Sequence, residues 1–171
     1  TLSLETASGE MDGAGLSYEN MAAGKASGFG SYRDGDWHGV FYGMDLSYDG
    51  MSMDTLSGEV ASRGGVMDIS YLTGTSGEGA FTVKGKYGPY LSLSGEASSI
   101  DLSGLSGISG MDMAGRLSGR FVVSGSRGDP SGAADFTARD GEIRGISFDR
   151  IAGHVSLGNQ PVSYTHLRAH E

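Results

Sequence analysis

Apolar and polar positions alternate with a period of two along much of the chain. In Ala80-Phe81-Thr82-Val83-Lys84 the apolar Phe81 and Val83 fall on one side and Thr82 and Lys84 on the other, as a half-buried strand requires. Leu2-Ser3-Leu4-Glu5, Leu91-Ser92-Leu93-Ser94, Met44-Asp45-Leu46-Ser47-Tyr48 and Ile146-Ser147-Phe148-Asp149 repeat the pattern. Between such runs stand Asp49-Gly50 and Asp140-Gly141, dipeptides that tolerate positive φ and predict tight hairpins. No eleven-residue window offers apolar positions at helical spacing without an interrupting glycine, and each such glycine costs a helix about 1 kcal/mol. Strands recurring about every eight to twelve residues, with helix a minor component, predict an antiparallel all-β fold.

An echo of Leu-Ser-Gly runs through the chain, with its glycines at Gly58, Gly95, Gly104, Gly107, Gly110 (after Ile108-Ser109) and Gly119. The spacing is not constant, so it argues against the fixed rung of a solenoid and for a strand-and-turn vocabulary reused in a meander. The stretch from Ile100 to Gly119 is the least strand-like and is expected to be a loop or a loosely wound edge.

Composition narrows the function classes. Glycine supplies 31 of 171 residues without a three-residue period, which excludes collagen, and three prolines exclude a polyproline linker. A formal charge of −9 repels the phosphate backbone, so nucleic acid is not expected as a partner. Without cysteine there is neither a disulfide frame nor a thiolate metal site. Runs such as Val40-Phe41-Tyr42 and Phe121-Val122-Val123 fall far short of the roughly 20 apolar residues of a membrane-spanning helix. The chain begins at Thr1 and reads as an internal fragment whose membrane anchors lie outside it. Residues 1–162 read as one repetitive β unit. Residues 163–171, SYTHLRAHE, break its texture and resemble a translated sequencing adapter, a non-native tail in which His166 and His170 have no role.

No serine sits in a G-x-S-x-G elbow, and neither G-x-G-x-x-G after a strand nor a P-loop is present. His38 and His154 lie far apart, and His38 reads as a solvent-facing strand residue. Asp34-Gly35-Asp36 and Asp49-Gly50 share residue types with calcium-binding nonapeptides but form no tandem, so they read as turn chemistry. Met44, Met51, Met53, Met67, Met111 and Met113 suit either an adaptable apolar surface or ordinary core filling. Arg127-Gly128-Asp129 precedes Pro130, which disfavours the helical region for Asp129, so this tripeptide reads as a strand-linking turn. No catalytic residue, metal ligand or cofactor is expected.

Residues 115–162, GRLSGRFVVSGSRGDPSGAADFTARDGEIRGISFDRIAGHVSLGNQPV, carry the most information. They resemble the repeating β segments of the TamB family and, more broadly, AsmA-like proteins, bacterial envelope proteins that bridge the inner and outer membranes. In this likeness Phe121–Gly125 is an outgoing strand, Asp129-Pro130 a turn, Ala133–Arg139 the return, Asp140-Gly141 a hairpin and Ile143–Val155 the continuation. The resemblance covers 115–162 well and the rest in texture only.

It implies a strongly twisted, open antiparallel sheet curled into an elongated groove, apolar inside and polar outside. Such a groove would carry phospholipid acyl chains across the periplasm in support of outer-membrane biogenesis. An outer-membrane barrel protein of the assembly machinery is an implied partner. The alternation then assigns Phe81, Val83, Leu91, Leu93, Phe121, Val123, Ile146, Phe148, Val155 and Leu157 to the groove lining, and Thr82, Lys84, Ser92 and Ser94 to water. A chemically inert surface adhesin, rich in Gly, Ser and Asp and built as a closed right-handed solenoid, is the competing expectation.

Overall fold

The computed structural model describes residues 6–48, 51–105 and 112–158, and within them the chain forms one sheet of ten antiparallel strands in sequence order. The strands are β1 (Thr6–Tyr18), β2 (Met21–Arg33), β3 (Asp36–Tyr48), β4 (Met51–Arg63), β5 (Val66–Ser76), β6 (Gly79–Tyr87), β7 (Tyr90–Asp101), β8 (Met113–Ser126), β9 (Asp129–Ile143) and β10 (Ile146–Leu157). A single 3-10 turn, Leu102–Leu105, follows β7.

Turn chemistry sets this layout. Asp34-Gly35 (φ 51° and 91°), Gly64-Gly65 (55° and 78°) and Arg144-Gly145 (52° and 81°) place two successive residues at positive φ. That is the two-residue turn whose twist matches its flanking strands. Strands β1 to β4 are each 13 residues long, and with two-residue connections a new strand starts every 15 residues from Thr6 to Val66. Because a two-residue turn pairs each residue with one of opposite parity, as Tyr18 with Met21, the face that carries odd numbers in β1 up to Gly13 carries even numbers in the facing part of β2.

The antiparallel all-β expectation holds, with differences in detail. Strands run from 9 to 15 residues, longer than the spacing of turn dipeptides suggested. Arg127-Gly128 is indeed a strand-linking turn, but Asp129-Pro130 already opens β9. Asp140-Gly141 is not a hairpin: it lies inside β9, and the chain reverses at Arg144-Gly145. Residues from Met113 onward form β8, so the loop expected over 100–119 is at most a short connection, of which 106–111 lie outside the described residues. The Leu2–Glu5 run, Asp49-Gly50, Met111 and the 163–171 tail also lie outside them. The solenoid expected of an adhesin is overturned, since every strand pairs antiparallel with its sequence neighbours.

No second layer covers the sheet among the described residues. Only Leu102 and Ala138 are buried hydrophobics there, at 6% and 5% exposure. Among the described residues β1 and β10 each keep one unpaired edge.

Candidate functional site

Side chains directly opposite one another on paired strands share a face. Phe81 pairs with Gly74 and Ala97, and Val83 with Leu72 and Gly95. Leu91 and Leu93 pair with Gly125 and Val123, and Phe121 pairs with Gly95 and Ala134. On β10, Ile146 and Phe148 pair with Ile143 and Gly141, and Val155 and Leu157 with Ala134 and Gly132. The register therefore brings all ten residues assigned from the alternation to one face, and Thr82, Lys84, Ser92 and Ser94 to the other. Most are half-buried, whereas Ile146 (74% exposed), Leu157 (54%) and Val155 (39%) sit on the edge strand.

The face extends well beyond those ten. Traced through the register to β1, it takes in Ile69 and Leu72, Leu56 and Val60, Trp37 and Phe41, and Met11. It also includes Met51, Met53, Met67 and Met113, which settles four of the six methionines as surface residues of this face. Across all ten strands, outside the crease described below, the registered positions of this face hold no Asp, Glu, Lys, Arg or His.

Glycine gives the face its relief. Five of the six phenylalanines lie across a glycine of the neighbouring strand: Phe41 over Gly58, Phe81 over Gly74, Phe121 over Gly95, Phe136 over Gly153 and Phe148 over Gly141. A Cβ at any of these glycines would sit 2.5 to 2.7 Å from the ring. The far ends of the rings consequently lie over bare backbone, which covers a glycine that would otherwise weaken the strand. Sequence reasoning assigned glycine to turns and missed this role, because the pairing is visible only once the register is known.

A crease interrupts the sheet in β1 to β4 and again in β9 and β10. Gly15 and Gly24, Asp45 and Asp54, and Asp140 and Asp149 are each nine residues apart, facing one another around a hairpin and left out of the pairing. Gly15, Asp45 and Asp140 have φ of 62°, 52° and 49°. Each acts as an extra residue that reverses the alternation. Met44 is thereby separated from Leu46 and Tyr48: it faces the polar side, contrary to the simple alternation of that run. Beyond the crease Leu16, Tyr18, Met21, Leu46, Tyr48 and Met53 line an apolar depression of about 490 Å³.

The opposite face is built of hydroxyls and charges. Thr55 and Thr75 hydrogen-bond at 2.7 Å, and Ser57 and Thr73 at 2.9 Å. Lys86 pairs with Asp68 at 3.5 Å, Arg116 with Glu78, and His38 with Glu59 at 3.0 Å. His154 meets Asp135 at 2.7 Å and Ser156 at 3.2 Å, and Arg120 reaches Asp135 at 3.1 Å. The hydrogen bond with His154, followed by that with Arg120, holds the Asp135 carboxyl below its ordinary range. Asp36 and Asp54 accept hydrogen bonds from the turn amides of Gly64 and Gly77 at 3.0 and 2.7 Å, which is turn chemistry. A larger depression, about 660 Å³, lies on this face between Thr82, Glu96, Arg120 and Asp135, away from the uncharged surface. The polar expectation is incomplete: Phe29, Val40, Tyr42, Met44 and Tyr71 in β2 to β5, and Tyr90 and Val122 in β7 and β8, are exposed on this side.

Compared with protein-family models, curated proteins and solved structures, the chain has no match.

Proposed function

We propose that the chain is a segment of a periplasmic, envelope-spanning bacterial protein that carries phospholipid acyl chains along one face of its sheet between the inner and outer membranes. The observation that carries this reading is the uncharged face, over which no layer lies among the described residues. Ten strands about 4.8 Å apart, each some 13 residues long at about 3.3 Å per residue, make a surface roughly 45 Å on a side. Soluble monomers rarely expose contiguous apolar patches beyond a few hundred Å². Leaving such area in water is unfavourable by about 25 cal/mol per Å², and each acyl CH₂ that covers it contributes about 0.8 kcal/mol.

The Phe-over-Gly arrangement supports carriage rather than storage. Rings lying over bare backbone leave the face shallow on the Phe81 side of the crease, so there no one position holds a chain much more strongly than the next. The resemblance of residues 115–162 to TamB and AsmA-like proteins supplies the rest of the reading: anchors outside this chain, an outer-membrane barrel protein of the assembly machinery as partner, and a role in outer-membrane biogenesis. Nothing in it calls for a catalytic residue or a cofactor.

A photo-crosslinking residue at Val83, on the uncharged face, is expected to capture phospholipid in cells. The same residue at Thr82, its neighbour on the polar face, is expected to capture far less. Equal capture at the two positions, or none at Val83 when the flanking sequence is present, would overturn the proposal.

A further inference from the structure

Among the described residues the outer edges of β1 and β10 are unpaired, and these two edges fit each other. We propose that β1 of one copy of this chain pairs antiparallel with β10 of a second copy, continuing the sheet head to tail.

The crease fixes the register. Gly15 on β1 and Asp149 on β10 are the extra residues of their strands, and a crease that runs on unbroken from one copy to the next sets them opposite each other. In a sequence-ordered meander β1 and β10 run in opposite directions, so β10 of one copy and β1 of the next are antiparallel. With Gly15 opposite Asp149, every facing pair falls on matching faces: Leu16 meets Phe148, Gly13 meets Ile151, Met11 meets Gly153 and Gly9 meets Val155. On the near side of the crease, away from Tyr18, each of the last three pairs sets a large side chain against glycine, a combination that recurs in the sheet.

Backbone and surface chemistry agree with that alignment. Residues flanking a two-residue hairpin turn exchange both hydrogen bonds and the pattern alternates from there; counted from the Arg33/Asp36 and Ser126/Asp129 turns across β2 and β9, it leaves Glu10 and His154, opposite each other in this register, presenting their amides and carbonyls outward. Tyr18 and Ile146, 67% and 74% exposed, become direct neighbours and cover each other. On the polar side Glu10 and Asp12 of β1 face a stretch of β10 that carries Arg150 and His154, so the charges are complementary. Because two different edges meet, the contact is heterologous, and it generates a ring or an open ribbon whose uncharged face is continuous from copy to copy.

The cysteine-free chain makes the test clean. Ser8 and Ser156 face one another in the proposed register, and opposed residues on neighbouring strands stand about 4.5 to 5.5 Å apart, within disulfide reach. Purified Ser8→Cys and Ser156→Cys chains, mixed and oxidised, are expected to form a covalent dimer at least tenfold faster than Ser8→Cys mixed with the off-register Ala152→Cys, and neither variant alone is expected to cross-link. The unaltered chain should sediment as concentration-dependent oligomers. A monomer at all concentrations, equal yield from the off-register pair, or self-linking of Ser8→Cys would each overturn the proposal.

Discussion

At the scale of single residues the stacking of phenylalanine on glycine carries the most physical content. Gly153 is the clearest case, because the three atoms a Cβ there would approach most closely all belong to the Phe136 ring, the nearest at 2.7 Å. Gly153→Ala should therefore destabilise the chain by roughly 1–3 kcal/mol through overpacking. In a Phe136→Ala background the same change should become favourable by about 0.5–1 kcal/mol, since alanine loses less backbone entropy in a strand than glycine. Denaturant unfolding of the four chains of this cycle measures the coupling, and additivity would show that the ring does not rest on the glycine. Asp135 offers a second residue-scale test. Its folded-state pKa is depressed, so its pairing stabilises the β9–β10 edge above the ordinary carboxylate value near 3.9 and that contribution is lost as pH falls through the folded value. In a carboxyl NMR titration His154→Ala should move the Asp135 midpoint up towards the ordinary range, and Arg120→Ala should move it up by less.

At the scale of strands and turns, what was legible in the sequence is what is local. Alternation over four or five residues identified Phe81 and Val83, Leu91 and Leu93, and Ile146 and Phe148 as neighbours on a face, because period two needs no knowledge of the partner strand. The crease was illegible for the same reason: Asp45 at positive φ reads, in sequence, as one more polar position in Met44-Asp45-Leu46, yet it turns Met44 to the far side. Asp140-Gly141 has the composition of a turn, but its positive-φ aspartate serves as the extra residue of a strand, and Arg144-Gly145 takes the hairpin with a less suitable residue. Arginine at φ 52° is strained where asparagine is tolerated. Arg144→Asn should accordingly raise stability by about 0.5–1 kcal/mol. A shift of the urea midpoint without a change in slope would register it, and an unchanged midpoint would place the strain elsewhere.

For the whole molecule the decisive property is that its uncharged face has length but no end wall. A closed pocket accepts acyl chains up to its own depth and then rejects additional carbons. A face that runs uninterrupted across ten strands should add a similar increment for each CH₂ laid along it, about 0.8 kcal/mol or close to fourfold in affinity. The chain has one tryptophan, Trp37, registered on this face beside Ser62 and 39% exposed, so its emission reports occupancy directly. Monoacyl phosphocholines of 8 to about 14 carbons, titrated below their micelle thresholds, should shift Trp37 emission to the blue with affinities that climb steadily along the series. Replacing Val83 by glutamate should weaken every member, because a carboxylate on this face must be desolvated or displace the chain, while Thr82→Glu should leave the series in place. An abrupt ceiling at one chain length would mean that acyl chains enter a bounded site such as the depression beyond the crease. Carriage along the sheet requires the climb to continue.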